Sequence, residues 1–163
     1  MSASPADAES RVRDGVRIGI DLGTVRIGVA ACDPSGLLAT PVDTVPRGAD
    51  DLSRIAEIVA ERAAIEVVMG IPLSMSGAEG PSARSVRDYS VTLAVRVAPV
   101  HVRLVDERLS TVAAARGLRN AGVGGRRART VVDQVAAAAI LQAALDIERS
   151  LGTPPGEIVQ VEP

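Results

Sequence analysis

The stretch that most constrains the fold is residues 17–44, where three short β-like runs follow one another with almost nothing between them. Arg17 to Asp21 is the first run, and Gly23 comes at once after it. Val25 to Cys32 is a second apolar run, rich in β-branched residues and alanine. Asp33-Pro34-Ser35-Gly36 is a turn signal, and Leu37 to Thr44 reads as a third strand. Three short strands joined by tight turns imply an antiparallel meander.

After the meander the hydrophobic period changes. Leu52, Ile55, Ile58 and Val59 are spaced as one helical face. Glu66 to Ile71 reads as strand four, followed by a loop over 72–80 and a helix over Ser82 to Val97, with Pro81 suited to its first position. Val100 to Val105 is strand five. Ser110 to Asn120 reads as a third helix, and a glycine- and arginine-rich link, Gly122 to Arg129, leads into a long alanine-rich helix ending near Gly152. The order βββαβαβαα implies parallel pairing wherever a helix joins two strands. The expected fold is α/β: a mixed five-stranded sheet, strands 1–3 antiparallel and strands 4–5 parallel, flanked by helices. One domain spans 16–150, between an N-terminal tail (1–15) and a C-terminal tail (151–163).

With 163 residues and 47% hydrophobic content, the chain can bury a core. Cys32 is the single cysteine, so no internal disulfide forms, which suits a reducing compartment. The N-terminus is polar and acidic, unlike a secretory signal. The longest apolar run, Val135 to Leu141, is far short of a membrane span. These features read as a cytoplasmic protein without a membrane partner.

All 18 basic residues are arginine, and net charge is only −2. Their distribution says more. From Arg108 to Val132 there are six arginines (108, 116, 119, 126, 127, 129) and no acid. A basic segment on an acidic body is an anion-binding footprint, or else a solvated helix face and loop. Tyr89 is the only aromatic residue. A nucleic-acid partner would therefore be gripped by phosphate and shape rather than by stacked bases.

Four acids stand where chemistry is expected. Asp21 ends strand one. Ile18 and Ile20 point to one face, so Arg17, Gly19 and Asp21 share the other. An acid at a strand tip sits where open α/β sheets bind ligands, or it serves the turn at Gly23 and Thr24. Asp106 and Glu107 end strand five and point to opposite faces; one meets the site while the other faces away or caps a helix, or else both are capping or surface acids. Asp133 shares a helical face with Ala136, Ala137, Ile140 and Ala144, where a carboxylate needs a cation or hydrogen bonds. Alternatively, Thr130-Val-Val-Asp133 is a capping box, if the helix starts at Thr130. Three carboxylates converging on one sheet edge suit Mg²⁺ or Mn²⁺, and two such ions about 3.5–4 Å apart can stabilise an in-line displacement at phosphorus. His101 is the only histidine, so zinc and Cys–His chemistry are unattractive.

Arg17-Ile-Gly-Ile-Asp21-Leu-Gly-Thr-Val-Arg26-Ile-Gly-Val-Ala30 resembles the opening motif of the YqgF family, also called RuvX. Leu38 to Thr44, Val68 to Pro81, Val105-Asp-Glu107-Arg-Leu-Ser-Thr111 and Val131-Val-Asp133 to Gln142 are similar to its later blocks, in family order, over about 17–146. The resemblance implies a ribonuclease-H-like fold related to the RuvC junction resolvases. It implies that Asp21, Glu107 and Asp133 are catalytic and metal-binding, and so selects Glu107 over Asp106. The family is associated with maturation of the 5′ end of pre-16S ribosomal RNA and has been proposed to resolve Holliday junctions. RuvC-type enzymes often carry a fourth acid three residues after the third; that position here is Ala136.

A metal-dependent nuclease is thus the leading expectation. Arg26 and Arg108 would orient the scissile phosphate, Arg126, Arg127 and Arg129 would hold flanking backbone, and Ser82 would add a contact at a helix start. Arg84 and Arg87 read as surface residues. Structured RNA, namely pre-16S rRNA, and branched DNA are the candidate substrates, and a two-fold junction would call for a homodimer. Asp21-Leu-Gly-Thr24 also resembles the first phosphate loop of actin-like ATPases, but those need two lobes and a second such loop. A non-catalytic assembly factor is the remaining alternative, and it leaves the acid trio without a purpose.

Overall fold

The computed structural model describes residues 12–112 and 126–162, with backbone only for 126–129. The meander forms as expected: β1 (Arg17–Leu22), β2 (Arg26–Cys32) and β3 (Ala39–Pro46) pair antiparallel, with a bulge between Val29 and Ala30. α1 (Asp51–Glu61) then leads to β4 (Glu66–Ile71), and α2 (Pro81–Val97) to β5 (His101–Asp106). β4 is parallel to β1, and β5 to β4. A short 3₁₀ turn, Glu107–Leu109, follows, and α3 (Arg126–Leu151) crosses the sheet. Pro81 is the first residue of α2.

Two expectations need correction. The sheet has six strands, in the order β3-β2-β1-β4-β5-β6, not five. β6 is Glu157–Ile158, inside the stretch read as a tail, and runs antiparallel to β5. Two residues beyond a Pro-Pro-Gly turn carry no periodic pattern, and only the free edge of β5 makes them a strand. Second, α3 begins at Arg126, so part of the arginine-rich link is helical. Most of the helix read over 110–120 lies outside the described residues.

The pleat sorts the sheet into two layers. Ile18, Ile20, Val67, Met69, Val102 and Leu104 face α1 and α2, which contribute Ile55, Ile58, Val86 and Leu93. Val68 and Val105 face α3, against Ala136, Ile140, Leu141 and Leu145. Thr130–Leu151 is long and apolar enough, by length and composition, to cross a membrane. Here it is the core helix, with Ala136, Ala137, Ile140, Leu141 and Leu145 buried on the sheet.

The α3 face is apolar in the middle and charged at both ends. At one end the pleat directs Arg17, Glu66 and Arg103 inward. Glu66 accepts hydrogen bonds from Arg13 and Arg103, both at 3.0 Å, and Glu148 of α3 accepts one from Arg13 at 2.7 Å. Burial alone would raise both carboxyls, but Arg13, with Arg103 on Glu66, outweighs it and holds each below the ordinary 4.5. Their charged forms therefore favour the folded state above about pH 4.5, and this contribution is lost as pH falls through the depressed values. A thermal melting series should show stability falling on acidification below pH 4.5. Glu148→Gln should blunt that fall, at a cost of about 2 kcal/mol at neutral pH, because Arg17 and Arg13 lose a buried partner while Arg13 stays partly solvated. An acid dependence identical in the variant would contradict this assignment.

Candidate active site

At the other end of the α3 face stand the candidate acids, and glycines bring them together. Asp21 pairs across the strands with Gly28, where a Cβ would overlap the Asp133 carbonyl oxygen. A Cβ at Gly19 would lie 2.7 Å from the Leu141 Cβ and 2.8 Å from the Ala137 carbonyl oxygen. A Cβ at Gly70 would reach Ile140 at 2.8 Å and Glu107 at 3.4 Å. Three bare positions on β1, β2 and β4 thus let α3 approach the sheet backbone. Asp133 is carried against the strand beside Asp21, and Glu107 sits over Gly70.

Asp21, Glu107 and Asp133 are 5%, 8% and 3% exposed, unusually dry for carboxylates. Asp21 and Glu107 open onto one cleft of about 510 Å³, lined also by Gly23, Thr24, Pro72, Ser82 and Ser85. Pro81 and Ser82, at the start of α2, line this cleft, and a helix start is a place suited to phosphate. Asp133 lies behind the cleft and accepts a hydrogen bond from Arg26 Nε at 2.7 Å. Because α3 begins four residues before Thr130, the capping-box reading of Thr130 to Asp133 does not hold. The buried-face reading does, and Arg26 is the cation it required.

The neighbouring pair also resolves. Asp106 accepts from the Arg108 backbone N–H at 3.0 Å and so caps the 3₁₀ turn that presents Glu107. The Arg108 guanidinium grips Asp106 at 2.7 Å and donates to the Ser74 carbonyl at 2.9 Å. Its hydrogen bonds hold the Asp106 carboxyl below the usual carboxylate range. Arg108 therefore braces the loop over 72–80, where the sequence suggested a phosphate contact. Ser82 is in the cleft as expected. The side chains of Arg126, Arg127 and Arg129 lie outside the described residues. Two polar cleft residues were not singled out from the sequence. Ser85 could have been found, one turn after Ser82. Arg47 could not: it reaches the cleft from beyond β3, held by the Gly23 carbonyl at 2.8 Å.

The donor set suits a hard divalent ion. Among the described residues, no three His, Cys, Asp or Glu side chains are grouped to share one ion. Asp21 and Glu107 nonetheless face one cleft, and Mg²⁺ is commonly held by one or two carboxylates together with water and substrate phosphate.

A mixed sheet in this order, crossed by a helix that carries an acid to the carboxyl end of the first strand, defines a ribonuclease-H-like domain. In fold it resembles T. thermophilus RuvC, solved in complex with a Holliday junction substrate, with a TM-score of 0.60 at 16% identity, over 88% of this chain and 99% of that one. The RuvX family profile, described as "Holliday junction resolvase", matches residues 15–147, and the chain belongs to that family. A relative from Nocardioides sp. is 58% identical, covering 91% of this chain and 99% of its own; one from Streptomyces coelicolor is 54% identical, covering 93% and 92%. Both carry the name "Putative pre-16S rRNA nuclease".

Proposed function

We propose that this chain is a cytoplasmic, divalent-metal-dependent nuclease that hydrolyses phosphodiester bonds in processing the 5′ end of pre-16S rRNA. The observation that carries the reading is the pairing of two buried carboxylates, Asp21 and Glu107, on a cleft that ends at the start of α2. Carboxylate oxygens on one cleft are the hard donors that a divalent cation such as Mg²⁺ or Mn²⁺ takes. Asp21 and Glu107 would hold Mg²⁺ or Mn²⁺. Bound there, the ion supplies Lewis acidity toward the phosphate and a nucleophile from water at neutral pH. Ser82 and the adjacent N–H groups bind a phosphate oxygen, while Arg126, Arg127 and Arg129 hold the flanking backbone.

Asp133 would join Asp21 and Glu107 in holding the ion if Arg26 exchanged its carboxylate for an incoming phosphate. Replacing Arg26 by glutamine then has two expected effects. In EDTA the protein loses about 1.5–3 kcal/mol, the worth of a hydrogen bond to a charged group. Adding Mn²⁺ stabilises the variant more than the wild type, because the ion no longer competes with a guanidinium for Asp133. Equal Mn²⁺-induced melting shifts in the two proteins would contradict the exchange.

The family description, "Holliday junction resolvase", favours a second reading, resolution of four-way DNA junctions, whose two-fold symmetry would call for a homodimer. A cleavage assay with Mg²⁺ or Mn²⁺ separates the two. A pre-16S 5′-leader RNA and a four-way DNA junction are offered side by side, and the RNA is expected to be cut. Cutting of the junction alone would transfer the conclusion to the resolvase reading, and cutting of neither would overturn the nuclease.

A further inference from the structure

The loop between β4 and α2 is a small, heavily braced hairpin. Leu73 bridges Glu79, the Ser74 N–H donates to the Ala78 carbonyl at 3.0 Å, and the Gly77 N–H donates to the Ser74 carbonyl at 2.8 Å. Gly77 adopts the left-handed φ of 84° that closes the turn. The Ala78 N–H also donates to Ser74 Oγ at 3.1 Å. Glu79 anchors the second limb to α2 through a two-point pair with Arg87, at 2.8 and 2.9 Å. From the other side Arg108 donates to the carbonyls of Ser74, at 2.9 Å, and Met75, at 3.3 Å.

At the tip of this scaffold stands Met75, 99% exposed. Scattered exposed apolar residues are ordinary. This one differs in its mounting. Its backbone is fixed by the residue that follows Glu107, and the hairpin springs from Pro72, which lines the cleft with Asp21 and Glu107. Its chain neighbours Ser74, Ser76 and Gly77 carry no apolar side chain. The cleft itself offers acids, hydroxyls and Arg47, groups that handle phosphate, and no aromatic ring. Tyr89, the one aromatic side chain, is occupied: its hydroxyl donates to Asp51 at 2.8 Å, and Arg47 lies 5.3 Å from its ring centre.

Resting on the nuclease reading, we propose that Met75 is a wedge that enters a base step of the structured RNA substrate next to the scissile phosphate. Methionine is among the apolar side chains that proteins insert between bases, and its unbranched thioether adapts to the gap. Opening the step bends the backbone toward Asp21 and Glu107, and gives a chain nearly without aromatic residues a means to select duplex edges that unstack easily.

The test uses the full chain and leader RNAs with a single 2-aminopurine, whose fluorescence rises on unstacking, placed at successive positions across the 5′ boundary. In EDTA, wild type should brighten one position, Met75→Leu should retain the rise, and Met75→Ser should lose it with an unchanged melting temperature. With Mn²⁺, cleavage by Met75→Ser should fall at least about tenfold, since unstacking one step is worth more than one decade in rate. The wedge is overturned if wild type brightens no position, or if Met75→Ser brightens it equally. Cutting without brightening removes the wedge and leaves the nuclease; Met75-dependent brightening without cutting removes the nuclease and leaves the wedge.

Discussion

Asp21→Asn is expected to abolish metal-dependent cleavage while leaving the protein folded and able to bind RNA. Asparagine keeps the shape of the side chain and one acceptor oxygen, so the strand tip and the cleft survive. What it loses is the negative charge that, with Glu107, draws a cation into a dry site. Metal-ion stabilisation of the transition state is worth several kcal/mol, so the rate should fall by about a thousandfold. Stability should change by less than about 1 kcal/mol, which moves the melting temperature of a domain this size by no more than about 4 °C. Single-turnover cleavage of the leader RNA, a thermal melt and a filter-binding measurement check the three parts. A variant that cuts as fast as wild type would remove Asp21 from the mechanism. One that melts well below wild type would make Asp21 a folding residue, and one that melts normally but fails to bind RNA would make it a binding residue.

Gly28→Ala should be strongly disruptive for a single-methyl change. The added Cβ would overlap the Asp133 carbonyl oxygen and crowd Gln134 N at 3.3 Å. Both are backbone atoms of α3, and β2 lies between two paired strands, so neither side can yield cheaply. Overpacking in a core costs about 1–3 kcal/mol and more where backbone must move, so a loss of at least about 3 kcal/mol is expected. The same displacement carries Asp133 away from Asp21, and a misplacement of about 1 Å can cost a hundredfold in rate. Cleavage should therefore collapse even below the melting point. Gly48→Ala is the control: nothing lies within 4 Å of a Cβ there, and it should melt and cut like wild type. A Gly28→Ala protein that melts with wild type would refute the close seating of α3.

What the sequence disclosed about the fold is what depends on near neighbours. The alternation of Ile18 and Ile20 against Arg17, Gly19 and Asp21 fixes the two faces of β1, because the pleat is a local property. The spacing of Leu52, Ile55, Ile58 and Val59 fixes α1 for the same reason. β6 was illegible, since Glu157 and Ile158 become a strand only against the distant edge of β5. At the site, position in a motif could not separate Arg26 from Arg108. Both follow a candidate acid closely, yet one reaches 107 residues along the chain to Asp133 and the other turns back to Asp106 and the 72–80 hairpin. The capping-box alternative at Asp133 likewise turned on where α3 begins and on Gly28, a contact across the fold. Glu107 was selected over Asp106 by family resemblance. In the structure Glu107 lines the cleft, while Asp106 caps the turn that carries it.

The central claim is that Asp21 and Glu107 hold a divalent ion in the cleft. A crystal soaked in Mn²⁺ and measured at the manganese absorption edge tests it most directly. The account predicts an anomalous peak between the Asp21 and Glu107 carboxylates, absent from a crystal of Asp21→Asn soaked identically. A Mn²⁺-soaked crystal with no peak there, at an ion concentration that supports cleavage in solution, would contradict it.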